Sequence, residues 1–409
     1  MAEIPERERA FLFTRFPVRT ETFLSREAGS LRELDSSVGL YSLWPGDGGD
    51  ASNEATGFGP LGLLKLLFWI PYWAFVEPRV MGELATLWTR SDYRSGINFW
   101  ENGLGIGFAL VHARSFSGRV SHVHAVWASA PAMAALALKK LTGIPYSMAG
   151  HAYDLFEHGG DALLKEKIAE TTFVRSSTEI GRQRWIQLGA PDKSAHCIRR
   201  GLPDTQIPPA AEVGSSFADL PGVRPWRFLA VGRLVEKMGM DAVLELWAAL
   251  RDRGVPFTAQ LIGGGRDGYR LERLRRRLDL EEQVQLRGAL SFDEVTTAYA
   301  QHDFFFFHGR VAQSGDRAGF PNAIGEAMAW GLPVWATPVG AVPEGIRDGE
   351  TGWVLSGRPQ VDAARTVKLL QDPQKLHRVQ ASARQWVETH FRVRPNMEAL
   401  LTLIRRVDC

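Results

Sequence analysis

The sequence predicts an α/β protein of two domains in tandem, each a parallel sheet covered on both faces by helices. Three observations carry this. The chain has 409 residues, enough for about two domains at ~100–200 residues each. Short apolar runs alternate with helical segments in both halves, the signature of strand–helix–strand units. Between the halves, residues 201–225 (GLPDTQIPPAAEVGSSFADLPGVRP) are rich in Pro, Gly and Ser and carry no hydrophobic period, so they read as a linker.

The first half opens on AFLFTRF, an apolar run suited to a buried strand, followed by the helical TFLSREAGSLREL. RVSHVHAVW alternates polar and apolar residues and reads as a strand. SAPAMAALALKKLT reads as a helix, with Ser129 as N-cap and Gly143 just past its end. IPYSMAGHA is a strand leading into a loop, and TTFVRSST and AHCIRRGL are strands around the helix EIGRQRWIQLG. The second half restarts with the strand RFLAVGRL and the helix MDAVLELWAALRDRG. FTAQLIGGG, VQLRGAL, FFFFHG and PVWATPV are further strands, separated by the helices YRLERLRRRLDL, FDEVTTAYAQH and NAIGEAMAWG. The final stretch, 374–407, reads as helical and amphipathic.

Composition excludes several classes. Hydrophobic residues at 45% and charged residues at 23% describe an ordinary globular chain. A formal net charge of +2 gives no basic footprint for nucleic acid. The two cysteines, Cys197 and Cys409, are too far apart in sequence for a disulfide framework or a metal cluster. The N-terminal MAEIPERERA is charged and has no apolar core of a signal peptide, so a cytoplasmic location is expected. Residues 57–76 (GFGPLGLLKLLFWIPYWAFV) leave two readings open. They form a helix broken at Pro71 and packed in the first domain's core. Alternatively, they lie on the inner face of a membrane, with Trp69, Tyr72 and Trp73 at the interface and Arg79 near the headgroups. Lys65 and the two prolines argue against a spanning helix.

Ligands of open parallel sheets gather at the C-terminal ends of the strands. Three loops of the second half lie there. In GRLVEKMG, Arg233 and Lys237 offer a guanidinium and an ammonium to a diphosphate, or are two solvated loop charges. In GGG (263–265), Gly264 lets a ligand approach the backbone, or the glycines merely turn the chain tightly. In GDRAGFPNAIGEAMAWG, Pro321 suits the first position of a helix whose N-terminus would face an anion. Glu326 lies about a turn inside and can accept both hydroxyl protons of a ribose, or is a solvated helical glutamate.

These strings, VGRLVEKMG, LIGGG, VQLRGAL and GDRAGFPNAIGEAMAWGLPVWATPVGAVPEGIRDGETGWVL, resemble glycosyltransferase family 4, the retaining GT-B transferases. FPVRTETFLSREAGSLREL and YSMAGHAYDLF resemble its exopolysaccharide-biosynthesis members. The resemblance implies a GT-B fold, two Rossmann-like domains facing across a cleft. Residues 1–203 would be the acceptor side, 204–225 the linker, 226–385 the nucleotide-sugar domain, and 386–409 a helix returning to the first domain. It implies transfer of a hexosyl group from a nucleotide-sugar, UDP-linked by family frequency, to a glycan or lipid-linked acceptor, with no metal or cofactor. Arg233, with Lys237, would hold the diphosphate and Glu326 the ribose. Backbone groups of Gly319, Phe320, Pro321 and Asn322 would meet the donor sugar and phosphates. His151 would face sugar and acceptor, and Glu21 and Thr22 would lie on the acceptor side. A loop role for His151 and a helix-cap role for Glu21 and Thr22 stay open beside these.

Two positions depart from the family pattern. Ala318 stands where a glutamate usually contacts the donor sugar, and Met238 where a lysine usually meets the diphosphate. His308–Gly309–Arg310 and Ala341 are lesser departures. A catalytically impaired partner subunit or nucleotide-sugar sensor is therefore the alternative to an active enzyme.

Overall fold

Parallel strands buried on both faces account for the apolar runs in the sequence. The structure, a computed structural model, describes all residues except 1–6, 19–20, 49–54, 90–92, 94–95, 152, 158–159, 210–212, 214–224 and 409. Much of the expected linker therefore lies outside the described residues. The chain divides into two units, one of residues 1–201 and 393–409, the other of 202–392.

The first unit holds β1 (Glu8–Val18), β2 (Val38–Gly48), β3 (Thr56–Gly57), β4 (Val120–Ala125), β5 (Tyr146–Ala149), β6 (Val174–Ser176) and β7 (Ala195–Cys197). They form a seven-stranded parallel sheet in the order β3-β2-β1-β4-β5-β6-β7. The last helix, Val393–Asp408, packs here: Val393, Met397, Leu400, Leu401 and Ile404 are buried in one cluster with Leu24, Ala28 and Leu31 of the Thr22–Leu34 helix. Five such side chains contribute about 10 kcal/mol of burial as an upper bound. Arg405 adds an ion pair to the buried Asp35 at 2.9 Å. The helical stretch expected over 374–407 is two helices, Pro373–His390 and Val393–Asp408, and only the second joins the first unit.

The second unit holds β8 (Trp226–Val231), β9 (Phe257–Ile262), β10 (Val284–Gly288), β11 (Phe304–Phe307), β12 (Val334–Ala336) and β13 (Trp353–Val354). Their order is β10-β9-β8-β11-β12-β13, again all parallel. This is the strand order of dinucleotide-binding sheets. The four phenylalanines of β11 are all buried, and they alternate between faces as a strand must. Phe304 and Phe306 pack with Phe228 and Trp335, while Phe305 meets Tyr299 at 6.2 Å.

One expectation is corrected. Residues Gly59–Val76 form one helix that runs through Pro71 without breaking, and only one side of it meets the core, where Trp73 joins the buried cluster with Leu66, Trp69 and Tyr72 packed against it. Only Gly59, Gly62 and Trp73 of this helix are buried.

Candidate functional site

In the second unit the strand order reverses between β8 and β11, so the C-terminal ends of these neighbours frame the place where ligands bind in open sheets. The loops that leave this edge are held to one another backbone to backbone. Leu234 N donates to the Gly264 carbonyl (2.8 Å), Asp267 N to the Leu234 carbonyl (3.0 Å), and Arg310 N to the Lys237 carbonyl (3.0 Å). Thr337 Oγ1 donates to the Gly309 carbonyl at 2.6 Å. At Gly239 (φ 62°) a Cβ would stand 1.8 Å from the His308 carbonyl oxygen, and at Gly340 (φ 55°) 1.9 Å from that of Ala318. Both positions therefore require glycine for conformation and for space. Gly340→Ala is expected to cost ~1–3 kcal/mol, a fall in melting temperature of ~2–10 °C by fluorimetry. An unchanged melting temperature would mean that the 337–341 loop does not press on the turn at Ala318.

That turn sets the start of the Asn322–Ala329 helix. Phe320 is buried between Trp386 (5.1 Å) and Phe391 (5.4 Å), so its ring anchors the turn and leaves only its backbone for a ligand. Pro321 is the N-cap residue rather than the first helical one, and no side chain caps the helix. An uncapped N-terminus carries free N–H groups and a positive dipole end. Gly319 and Asn322 flank it, both half-buried. Within the helix, Glu326 Oε2 accepts the Tyr299 hydroxyl at 2.9 Å. Tyr299, which sequence reading passed over, thus orients the carboxylate from the Phe292–Gln301 helix.

The two cations after β8 differ. Arg233 is exposed, and its side chain has no hydrogen-bond or ion-pair partner among the described residues. Lys237 is engaged: its Nζ lies 2.6 Å from Asp316 Oδ2, with the side chains only 12% and 18% exposed. This pair ties the loop after β8 to the loop after β11. Met238 is buried, and its methyl group packs close to Gly232. Ala318 is buried as well. Arg310 pairs with Asp241, which also binds Arg270 at 3.0 Å. An open groove lined by Arg347, Lys375, Arg378, Trp386 and His390 also lies in this unit and includes none of these loop residues.

In the first unit the strand order reverses between β1 and β4. Glu21 is the N-cap of the helix after β1, with no side-chain cap bond, and the exposed Thr22 is its first residue. The next residue, Phe23, meets Trp127 at 6.3 Å and His151 at 6.4 Å. Trp127 and His151 meet edge to face at 5.2 Å. The fold thus brings the Glu21–Thr22 turn and His151 to one corner of this unit. His151 is buried: its backbone N–H donates to Asp154 Oδ1 (3.0 Å), its Nδ1 meets Ser177 Oγ (3.3 Å), and the ring also interacts with the Val126 backbone. Burial, with the charges of Arg200 and Arg175 adding, holds the imidazole well below its usual pKa, so it stays neutral. Arg200 is a residue that sequence reading missed. Its guanidinium lies 3.5 Å above the Phe23 ring, and burial lowers its pKa only to about 10, so it keeps its charge. The signal was the pair of arginines after β7, overlooked because its strand is so short.

Comparisons with known proteins bear on both units. Residues 225–372 match the family model described as Glycosyl transferases group 1. The amylovoran biosynthesis glycosyltransferase AmsK of Erwinia amylovora is 25% identical over 97% of this chain and 99% of its own length. A GDP-mannose-dependent alpha-(1-6)-phosphatidylinositol monomannoside mannosyltransferase of Mycolicibacterium smegmatis is 29% identical over 57% of this chain and 61% of its own. Among solved structures, HepE of Anabaena in complex with UDP superposes with a TM-score of 0.68 at 14% identity, over 98% of this chain and 100% of that one. The fold is therefore GT-B: two Rossmann-like domains, each on a parallel sheet. The domain match and the full-length relatives support a glycosyltransferase.

Proposed function

We propose that this chain is a retaining glycosyltransferase of family 4. It would move a hexosyl group from a UDP-sugar to a growing glycan or lipid-linked acceptor in exopolysaccharide or cell-envelope synthesis. The observation that carries this is the uncapped N-terminus of the Asn322–Ala329 helix, on the same sheet edge as the unpartnered Arg233 and with the Tyr299-oriented Glu326 a turn inside. A helix N-terminus and a guanidinium fit a diphosphate, and an oriented carboxylate fits a ribose diol. The relatives' names support a polysaccharide or glycolipid product, and the UDP in the HepE structure supports the base.

In this reading Arg233 and the helix N–H groups stabilise the diphosphate as it leaves, which is where negative charge develops. The diphosphate takes the acceptor's hydroxyl proton, and the acceptor oxygen attacks from the same face, so no protein nucleophile is required. No metal or cofactor takes part. On the first unit, Glu21, Thr22 and His151 would contact the acceptor. A neutral His151 suits a sugar hydroxyl better than a charged group.

A second reading has its own support. Met238 and Ala318 are packed inward and Lys237 is paired with Asp316, so the sugar end of the donor site lacks its usual charges. This favours an impaired subunit or a nucleotide-sugar sensor. Thermal shift with UDP, GDP, ADP and their sugars tests both. The enzyme reading expects a shift of several degrees with UDP, and UDP release from the responding sugar in the presence of EDTA. A shift without turnover, with turnover recovered in Ala318→Glu plus Met238→Lys, supports the sensor. No shift with any nucleotide overturns the enzyme and the sensor and supports the impaired subunit.

A further inference from the structure

The Gly59–Val76 helix turns an apolar face to solvent that the fold does not use. Leu61, Leu64, Leu67, Phe68, Ile70 and Phe75 are all exposed, Leu67 by 80% and Phe75 by 88%. At 100° per residue these positions sweep close to half of the helix circumference with no charged side chain among them. The helix is fixed by its other side. Gly62 lies under Phe58, and Trp73 Nε1 donates to the Leu110 carbonyl at 2.7 Å. A helix tied down in this way lies flat, presenting ~27 Å of length, and does not cross a bilayer. The aromatics expected at a membrane interface, Trp69 and Trp73, face inward. The exposed face belongs to leucines and phenylalanines instead.

Charge decides what covers it. Lys65 is the helix's one charged residue. It shares a flank with Tyr72 seven residues on, and the guanidinium of the exposed Arg114 sits 5.5 Å over that ring. Arg79 is exposed just beyond the helix end, two residues from the exposed Glu77. Glu83 is neutralised by Lys140 at 3.0 Å. A protein interface of this size would carry about one hydrogen bond per 100–200 Å². This face offers no polar group to make one, whereas hydrocarbon demands none. A wide apolar face with a basic flank is the pattern of helices that lie in a bilayer interface.

We propose that this face docks the first unit onto an anionic lipid surface. The leucines and phenylalanines enter the acyl boundary, and Lys65, Arg79 and Arg114 meet the headgroup phosphates. This goes beyond the transferase reading and does not depend on it. The test is flotation of the full chain with vesicles of phosphatidylcholine alone or with about one third phosphatidylglycerol, alongside light scattering for mass. The chain is expected to float with the anionic vesicles and to partition less onto the neutral ones. Leu64→Glu, Phe68→Glu and Phe75→Glu together are expected to lower partitioning on the order of 100-fold. These side chains are exposed, so melting temperature and nucleotide binding should not change. Absence from both vesicle types overturns the proposal, as does a triple variant that floats like the parent. A dimer that the triple variant dissociates, without flotation of the parent, assigns the face to a second copy and overturns it equally.

Discussion

Arg233→Ala is expected to lower kcat/KM for transfer by on the order of 10³-fold while leaving the fold intact. The side chain is exposed and makes no bond among the described residues, so its removal leaves none of them unsatisfied. Stability should move by less than ~0.5 kcal/mol. The whole effect should therefore fall on the ligand, and chiefly on kcat, because the guanidinium meets charge that grows as the bond to the diphosphate breaks. Lysine at this position would restore charge without the planar fork and should recover only part of the rate. Glu326→Ala should behave differently. A ribose contact is made equally in ground and transition states, so donor KM should rise by ~10–100-fold with kcat nearly kept. Steady-state kinetics with the responding sugar nucleotide separate the two patterns. Full activity in Arg233→Ala would sink the assignment of the site.

The contrast between Arg233 and Lys237 shows how far a loop sequence can be read. Both stand after β8, and spacing treats them alike. The structure separates them because Asp316, 79 positions away in sequence, takes Lys237 into an ion pair. If that pair opens when diphosphate arrives, Asp316→Asn would free the lysine. If it stays closed, it serves to hold the two loops together, and Arg233 works alone. The departure at Met238 has a matching cause: a buried methionine packed near Gly232 suits a loop that closes on itself.

Legibility of the fold followed the strength of the periodic signal. The second unit's principal strands were readable because each is an apolar run bounded by glycine or a helical period. β13 was missed because it has only two residues, and β2 because its run ends in WPGDG, a turn-like string. The Gly96–Phe116 helix was missed because its glycines lower helix propensity, which packing against the Ala130–Thr142 helix overrides. For the 57–76 segment, composition could not say which side of the helix faces inward. Burial of Gly62 and Trp73 rather than of the leucines is a tertiary fact. At the candidate site, Arg233, Lys237 and Glu326 stood out in the sequence, and the partners of the last two, Asp316 and Tyr299, did not. Such partners act across long sequence separations and have no spacing of their own.

Acidification should unfold the first unit steeply. His122, His124 and His151 are buried. Desolvation holds all three imidazoles neutral, His122 down to about 3 and the other two well below the ordinary value of 6.5. His122 Nε2 and His124 Nδ1 each lie 2.8 Å from the single Ser147 hydroxyl, which can donate its proton to only one of them. Above pH 6.5 folded and unfolded chains carry the same histidine charge, and this part of the stability is fully present. As pH falls through 6.5 the unfolded chain takes up protons that the folded one refuses, so stability is lost at about 1.4 kcal/mol per pH unit for each histidine. Glu101 works in the opposite sense. Burial raises its carboxyl to about 7, so between pH 7 and its ordinary value the folded chain gains a proton and offsets about one histidine. His112, which burial and then the charges of Lys65 and Arg119 hold down to about 4, adds a fourth imidazole to this unit. The net expectation is therefore a loss of ~4 kcal/mol per pH unit between pH 6 and 5, read from urea midpoints of the first unit's transition. His124→Asn, which keeps a hydrogen-bonding group near Ser147 without titrating, should flatten the slope by about one proton. A urea midpoint independent of pH across that range would mean that these rings reach water in the folded protein.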